Sequence, residues 1–364
     1  MSYLGIDVGT SSVKVGILRH DGFLEVASRP VYGADRALAL GELDSELWWD
    51  AACQALADLG DKVALRNIEA VAVIGNTPTL ICVGEHGEPL APAMLWSDTR
   101  AEEEAWQLRG ERSQDDWNVI YGGFMPVSAA YPSAKLRWME RHWPHVLERT
   151  AKIIQPKDFV NYHLTSVLAG DMWTSKGLIS LDSRRNTEPL SALGLPTRLA
   201  PPCYRPIDRI GYVTQEAGSA TSIPVGIPVM AGWSDTLGAV LALGLDVGDA
   251  FILSGTSDSI GILTKQGTSD TAKVLSAPIW DTGYFIVYGP TSSGVSTLRW
   301  AETALGTSLT ATSSLQSHVV RVDRPVFVPY ILGQRSPIWN DRIRGAWLNV
   351  DIDCTQDELG DAVV

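Results

Sequence analysis

One short pattern occurs twice in this chain of 364 residues, and the repeat constrains the fold more than any other feature. Residues 9–18 read GTSSVKVGIL, and residues 255–263 read GTSDSIGIL. Each copy has the pattern of a strand, a Gly-Thr-Ser turn and a second strand, so the repeat indicates two related halves. Such turns present backbone N–H groups and hydroxyls that can hold phosphate oxygens, and two facing turns would form a phosphate clamp.

The first copy also carries two charged side chains that suit a phosphate site. Asp7 comes just before the glycine and can organise a metal ion. Lys14 lies just after the turn and can meet negative charge. The combination points to nucleotide phosphates.

Length and composition limit the remaining possibilities. A chain of this length exceeds what one hydrophobic core usually organises, so we expect two domains with a cleft between them. The net charge of −13 argues against nucleic acid and anionic membranes as partners, because both would be repelled. The sequence has no secretory signal pattern and no apolar run near the roughly 20 residues of a membrane span, so we expect a cytoplasmic protein. The four cysteines are scattered, which indicates neither a disulfide framework nor a zinc site.

Local patterns predict a mixed α/β sheet followed by a second hairpin unit. Asp44 or Ser45 could cap the first helix, which would end at Gly60. We expect the domains to be 1–245 and 246–364, with a boundary and hinge around 244–248. The predicted elements are strands at 3–7, 13–18, 23–29 and 68–74, helices at 47–60 and 134–147, a proline-punctuated connector at 189–206, and a helix that begins near Thr355.

A single aspartate lies where an apolar strand, 225–231, turns into a helix of small residues. Asp235 could act as a base toward a hydroxyl that attacks a phosphoryl group. Alternatively, Asp235 or Ser234 could merely cap the helix, since such caps are common. Residue chemistry alone leaves both interpretations open.

The order of the motifs resembles the FGGY family of carbohydrate kinases, within the actin-like, ribonuclease H-like ATPase superfamily, and is similar to that of xylulokinases. The resemblance extends over nearly the whole chain. Its motifs are DVGTSSVK at 7–14, 68–75, LWSDTR at 95–100, PKD at 156–158, 232–238, GTS at 255–257, and PY with GQRSP at 329–337.

This resemblance implies an α/β duplicated actin-like fold with two domains and a cleft, and it implies ATP and Mg²⁺ as cofactors. Asp235 takes the position of the catalytic base, and Asp7 would organise the metal and the phosphates. Gly9, Thr10, Ser11, Ser12 and Lys14 would meet the phosphates from the first domain, and Gly255, Thr256 and Ser257 would close on them from the second.

The expected sugar site departs from the family pattern. Asn76-Thr77-Pro78 stands where xylulokinases have Met-His, so the imidazole that would hydrogen-bond the ketose is absent and xylulose is disfavoured. Thr236 follows the base in place of a frequent Asn, which alters another sugar contact. The residues expected to line the sugar site are Asn76, Thr77, Trp96, Asp98, Arg100, Trp173 and Thr174.

Family members continue for well over a hundred residues beyond Val364 and include a glycine-rich loop that holds adenosine. We therefore expect the second domain to be truncated, as a fragment of a longer kinase or as a naturally shortened relative. Uncovered strand edges and helix faces would favour association, so a homodimer is one expectation.

The leading hypothesis is an ATP- and Mg²⁺-dependent kinase that phosphorylates a primary hydroxyl of a small ketose or polyol, with Asp235 as general base. The alternative is a catalytically impaired, sugar-binding relative without a complete adenosine pocket. A structural, actin-like filament protein would share the duplicated hairpins but would give no reason for Asp235 in its loop.

Overall fold

The computed structural model describes residues 2–33, 41–182, 184, 186–255, 257–268, 273–309, 324–340 and 342–364. The chain divides into two compact units, Met1–Leu243 and Gly244–Val364. The roles assigned to domains 1–245 and 246–364, and the cleft between them, stay predictions. Among the described residues, no helix is long and apolar enough to cross a membrane.

The first unit alternates strands and helices. Its strands are β1 (Ser2–Val8), β2 (Ser12–Arg19), β3 (Leu24–Pro30), β4 (Glu42–Leu43), β5 (Ile68–Gly75), β6 (Ile81–Val83), β7 (Ala93–Met94), β8 (Lys152–Ile154), β9 (Gly170–Asp171), β10 (Cys203–Tyr204), β11 (Arg209–Tyr212) and β12 (Pro228–Ser234). Its helices are α1 (Glu46–Lys62), α2 (Glu102–Glu111), α3 (Gln114–Tyr121), α4 (Pro132–His142), α5 (Pro144–Arg149), α6 (Pro156–Thr165), α7 (Glu188–Ala192), α8 (Gln215–Thr221) and α9 (Asp235–Ala242).

A six-stranded sheet in the order β11-β12-β5-β1-β2-β3 organises this unit. The first three strands form the predicted antiparallel meander, whereas β5 runs parallel to both β1 and β12. Alternate residues of β1 and β2 are buried, as the period-two pattern predicts for a strand with one buried face. The predicted strand at 68–74 is confirmed as β5.

Helix α1 packs its apolar face on this sheet. Trp48, Leu56 and Leu59 are completely buried there. Of the two residues expected to cap the helix, Asp44 accepts a hydrogen bond from the N–H of Glu46 at 3.1 Å, whereas the Ser45 side chain makes no capping bond. Burial of apolar surface at about 25 cal/mol per Å² makes this face a main source of stability for the sheet.

Two sequence predictions need correction. The predicted helix at 134–147 is two helices, because α4 ends at His142 and α5 begins at Pro144. A proline has no N–H and disfavours helical geometry in the preceding residue, so Trp143 leaves the helix. The connector at 189–206 also contains regular structure, namely most of α7, a 3₁₀ turn at Thr197–Leu199 and the short strand β10.

The second unit contains the second copy of the hairpin. Its strands are β13 (Ala250–Leu253), β14 (Ser259–Thr264), β15 (Leu275–Ile279), β16 (Tyr284–Pro290), β17 (Val326–Val328) and β18 (Ala346–Leu348). Its described helices are α10 (Val295–Leu305) and α11 (Gln356–Asp361). Helix α11 begins next to Thr355 as expected, and Thr355 caps it. Strands β13 and β14 pair antiparallel within a sheet of order β13-β14-β16-β15, so the predicted duplication of the hairpin is confirmed.

Candidate active site

Three parallel strands of the first unit end side by side and gather the candidate residues. In the sheet register, Ile74 of β5 lies opposite Asp7 on one side and Trp233 on the other. The carboxyl ends of parallel strands meet at one edge of a sheet, where ligands of open α/β sheets usually bind. This register brings Asp7 and Asp235 to the same edge.

Asp7 and Lys14 form a cross-strand ion pair at this edge. They are register partners in the β1–β2 hairpin, and Lys14 Nζ lies 3.1 Å from Asp7 Oδ2. The Lys14 side chain is 61% exposed, so the pair faces solvent. The other carboxylate oxygen, Asp7 Oδ1, is buried and has no hydrogen-bond partner in the described part of the chain. That oxygen can accept a cation or a donor from a ligand.

Two tryptophan side chains donate hydrogen bonds to the first Gly-Thr-Ser turn. Gly9 N donates to Ser12 O at 3.1 Å, and a Cβ atom at Gly9 would lie 2.8 Å from that same oxygen, so the turn needs glycine here. Trp48 Nε1 donates to Gly9 O at 3.0 Å. Trp96 Nε1 donates to Thr10 Oγ1 at 3.0 Å. The exposed Ser11 forms the tip of the turn.

The structure separates the two roles that sequence left open at the start of α9. Ser234 is the N-cap, and its side chain accepts a hydrogen bond from Leu237 N at 3.3 Å. Asp235 occupies the first helical position, and its Oδ1 accepts a hydrogen bond from Thr236 N at 2.6 Å. Asp235 is therefore not needed as the cap.

Several effects set the pKa of the half-buried Asp235. Burial raises the pKa above its usual value, and the hydrogen bond from the Thr236 N–H lowers it in part. The resulting pKa is about 6. The negative charge of Asp7 raises the pKa further, and the positive charge of Lys14 lowers it. A carboxyl group with a pKa near the working pH suits a general base.

A glycine in β12 sets the direction in which Asp235 is presented. Gly232 has a φ of +74°, and a Cβ atom there would lie 1.7 Å from the carbonyl oxygen of Val73. The register between β12 and β5 shifts between Met230 and Trp233. Only glycine permits this close approach, and the irregular register turns the end of β12 toward α9.

The loop after β5 is bound tightly to its surroundings. Asn76 is buried, its Nδ2 donates to Val8 O at 3.0 Å, and its Oδ1 accepts from Thr79 Oγ1 at 2.7 Å. Thr77 is half-buried and donates to Gln155 Oε1 at 3.2 Å. The amide of Asn76 thus fixes the loop, and Thr77 remains the more accessible side chain.

The segment after β7 contains one accessible and one enclosed candidate. Trp96 is half-buried beside Thr10, whereas Asp98 is only 2% exposed. Both carboxylate oxygens of Asp98 accept hydrogen bonds from the Arg100 guanidinium, including Nη2 to Oδ2 at 2.7 Å. Arg100 also contacts Glu42 and stacks over Trp138 at 4.6 Å. This geometry gives Asp98 and Arg100 structural contacts within the protein.

Trp173 and Thr174 are also enclosed. Their backbone N–H groups donate to Asp171 Oδ1 at 2.8 and 3.1 Å. Asp171 in turn lies 3.0 Å from the fully buried Lys157 Nζ, which donates to the carbonyl oxygen of Ala231 at 3.0 Å. This buried network supports the strand that leads to Asp235.

The second Gly-Thr-Ser turn belongs to the second unit. Thr256 lies outside the described residues, whereas Gly255 and Ser257 are described. Arg335 Nη2 donates to Ser257 Oγ at 2.7 Å, and Arg335 Nε donates to Thr291 O at 2.9 Å. A Cβ atom at Gly294 would lie 2.8 Å from Ser257 Cα, so α10 begins directly against the turn.

Comparison with known proteins identifies the family. Residues 2–242 match the profile of the FGGY family of carbohydrate kinases, N-terminal domain. The chain belongs to this family. Its curated relatives include the xylulose kinase of Klebsiella pneumoniae, 30% identical over 100% of this chain and 76% of the relative, and that of Escherichia coli (strain K12), 29% identical over 100% of this chain and 75% of the relative.

Solved structures share the same fold. The xylulose kinase of Rhodospirillum rubrum superposes with a TM-score of 0.84 at 25% identity, covering 100% of this chain and 76% of that one. A glycerol kinase of Plasmodium falciparum with ADP matches at a TM-score of 0.82 but 17% identity, which supports the fold alone. The predicted actin-like α/β fold is therefore confirmed, and the protein is a carbohydrate kinase.

The residues of this FGGY site suit a magnesium ion. Mg²⁺ is usually bound through one or two carboxylates together with substrate phosphates. Asp7 offers the buried, unpartnered oxygen described above. The described residues contain no cluster of three or more His, Cys, Asp or Glu side chains.

Sequence reasoning missed three residues that support candidate site residues, each within its own unit. Gln155 accepts hydrogen bonds from Thr77 and Thr79, Arg335 holds Ser257, and the buried Lys135 binds main-chain carbonyls. Lys135 is as buried as Ala134 and Leu136 on either side of it, which the charge of a lysine in the sequence does not indicate. Arg335 lies in a recognised motif, but its partner could not be read from the sequence.

Proposed function

We propose that this chain transfers the γ-phosphoryl group of ATP to a primary hydroxyl of a small ketose or polyol. In this reaction the hydroxyl proton passes to the Asp235 carboxylate, and the hydroxyl oxygen forms a bond to the γ-phosphorus. The bond from that phosphorus to the bridging oxygen breaks, and ADP leaves. The products are a sugar or polyol phosphate and ADP.

The single observation that carries this proposal is that Ser234, and not Asp235, caps helix α9. Ser234 accepts the capping hydrogen bond, so the Asp235 side chain is available for another role. Its pKa of about 6 leaves it mostly ionised at neutral pH, yet still able to hold a proton. The charges of Asp7 and Lys14 both act on its pKa, which supports a common site.

Residues of each unit are proposed to bind phosphate. In the first unit these are the turn at 9–12, Lys14 and Asp7, and in the second unit the turn containing Gly255 and Ser257. Asp7 would hold Mg²⁺ through its unpartnered oxygen. When bound, Mg²⁺ neutralises negative charge on phosphate oxygens.

Two of the sugar-site candidates are suited to direct contact. Thr77 and Trp96 are half-buried, and Trp96 is bonded to the phosphate turn through Thr10. Sugars stack on aromatic rings and form hydrogen bonds with nearby hydroxyls, so this pair can bind an acceptor close to the transferred phosphate. The remaining candidates are bonded within the protein and would support the pocket indirectly, namely Asn76, Asp98, Arg100, Trp173 and Thr174.

A coupled ADP-release assay tests the proposal. The chain would be incubated with MgATP and, separately, xylulose, ribulose, fructose, erythritol and glycerol, with a reaction lacking an acceptor as control. We expect one acceptor to raise ADP release well above that control. If calorimetry detects sugar binding but no acceptor raises ADP release, the impaired sugar-binding alternative is correct.

A further inference from the structure

Lys135 is a lysine where packing alone would favour an apolar residue. It lies near the start of α4 and is completely buried. Its neighbours Ala134 and Leu136 are buried as well. Lysine is almost never fully buried unless its ammonium group is paired. The function proposed above does not use this residue.

The Lys135 ammonium donates hydrogen bonds to main-chain carbonyls of two separate segments. The acceptor oxygens are those of Leu95 at 2.6 Å, Pro78 at 3.2 Å and Met94 at 3.3 Å. A lysine ammonium has three N–H donors and no acceptor, so three carbonyls satisfy it completely. Few other side chains could reach all three oxygens from one helix position.

These carbonyls lie next to the two accessible sugar-site candidates. Pro78 directly follows Thr77, and Leu95 directly precedes Trp96. A pair of hydrogen bonds between Leu80 and Met94, at 2.9 and 3.0 Å, already joins the two segments at one end. Lys135 joins them again at the end nearer Thr77 and Trp96.

Burial of the Lys135 ammonium group is energetically unfavourable, and packing alone gives no reason for a lysine at this position. Desolvation lowers the pKa of Lys135 from 10.5 to about 7, the charge of Asp98 raises it, and that of Arg100 lowers it. A buried ion often contributes less to stability than an apolar side chain of similar size. A lysine at this position is better explained by the geometry that it imposes.

We propose that Lys135 is a positioning residue for the acceptor site, which it shapes by tying the loop that carries Thr77 to the segment that carries Trp96. This inference rests on the proposed function in one respect, namely that Thr77 and Trp96 contact the acceptor. Lys135 itself touches neither the acceptor nor the nucleotide. Its effect is to set the distance between the two contacts.

Hydrogen exchange measured by mass spectrometry tests the structural part without any substrate. Lys135→Met is compared with the matched control Lys152→Met, because Lys152 also donates to two main-chain carbonyls, Arg198 O at 2.8 Å and Ala200 O at 3.0 Å. In Lys135→Met we expect at least tenfold faster exchange in peptides covering 76–80 and 94–98, and unchanged exchange in β2 and β3. The control should leave all these peptides unchanged.

Steady-state kinetics with the best acceptor of the panel tests the functional part. We expect Lys135→Met to raise the KM for the acceptor about tenfold and to change the KM for ATP and kcat less than twofold, since loss of positioning acts on one substrate. Lys135→Gln, which keeps two N–H donors, should recover part of the loss. This recovery distinguishes positioning from packing.

Three results would overturn the inference. The first is unchanged exchange in both loop peptides, and the second is equal changes in the KM of acceptor and ATP. The third is faster exchange throughout the first unit, which would assign Lys135 to general stability. If Lys135→Met does not fold, Lys135→Gln serves for the same measurements. The exchange measurement needs no activity, so it tests the role of Lys135 even if the chain is inactive. Failure of the proposed function is therefore distinguished from failure of this inference.

Discussion

Ser234 caps α9 through the N–H of Leu237, and this leaves the neighbouring Asp235 free of the capping role. We therefore expect Asp235→Asn to lower kcat by about 10²- to 10⁴-fold, the usual contribution of a general base, while acceptor binding measured by calorimetry is retained. Ser234→Ala is the matched control and should mainly cost stability, about 1 kcal/mol, because it removes the cap. Near-normal turnover by Asp235→Asn would exclude Asp235 as the base.

The pH dependence of kcat/KM should report the titration of Asp235. A base must be deprotonated to act, so kcat/KM should rise with pH and level off above its pKa of about 6. The charge of Asp7 raises this pKa and that of Lys14 lowers it. The midpoint should therefore move to lower pH in Asp7→Asn and to higher pH in Lys14→Met. Midpoints that stay fixed in both variants would contradict the assignment.

Arg335 should control nucleotide affinity through Ser257. The Arg335 guanidinium holds Ser257 Oγ and Thr291 O together, which keeps the second Gly-Thr-Ser turn in one conformation. We expect Arg335→Ala to raise the KM for ATP about tenfold with little change in the acceptor KM. Arg335→Lys should not restore affinity, because a lysine lacks the planar fork of donors. Arg299→Ala, at an exposed position on α10, serves as the control.

The loop after β5 should make this protein a poor binder of xylulose. Thr77 and Pro78 offer no imidazole, and an unpaired sugar hydroxyl costs about 1–3 kcal/mol. Calorimetry of xylulose against ribulose, tagatose, fructose, erythritol and glycerol tests this expectation. Replacing Thr77 by Met and Pro78 by His should increase xylulose affinity. If xylulose binds most tightly to the unmodified chain, other residues recognise the sugar and the loop argument is wrong.

Local patterns were sufficient to predict most of the sheet and the duplicated hairpin. The period-two burial of β1 and β2 and the glycine at each turn are encoded within a few residues. The break between α4 and α5 was missed, although Pro144 marks it, since a proline cannot continue a helix from its preceding turn. Which of the residues 234 and 235 caps the helix required the structure, because both have suitable side chains.

The supporting contacts of the site could not be predicted. Lys135 binds carbonyls 40, 41 and 57 residues away, and Arg335 binds an oxygen 78 residues away. Main-chain carbonyls occur at every residue, so no sequence pattern marks which ones a buried cation will reach. Such partners are decided by tertiary packing.

Because Gly232 lies so close to Val73, it tolerates no substitution, in contrast to positions on other segments. Any side chain at Gly232, even a methyl group, would collide with the carbonyl of Val73 and displace Asp235. Thr77 and Trp96 lie on other segments, so their replacement leaves that contact intact. A directed-evolution library aimed at new acceptors can therefore vary Thr77 without touching that contact, whereas every surviving clone should retain glycine at 232.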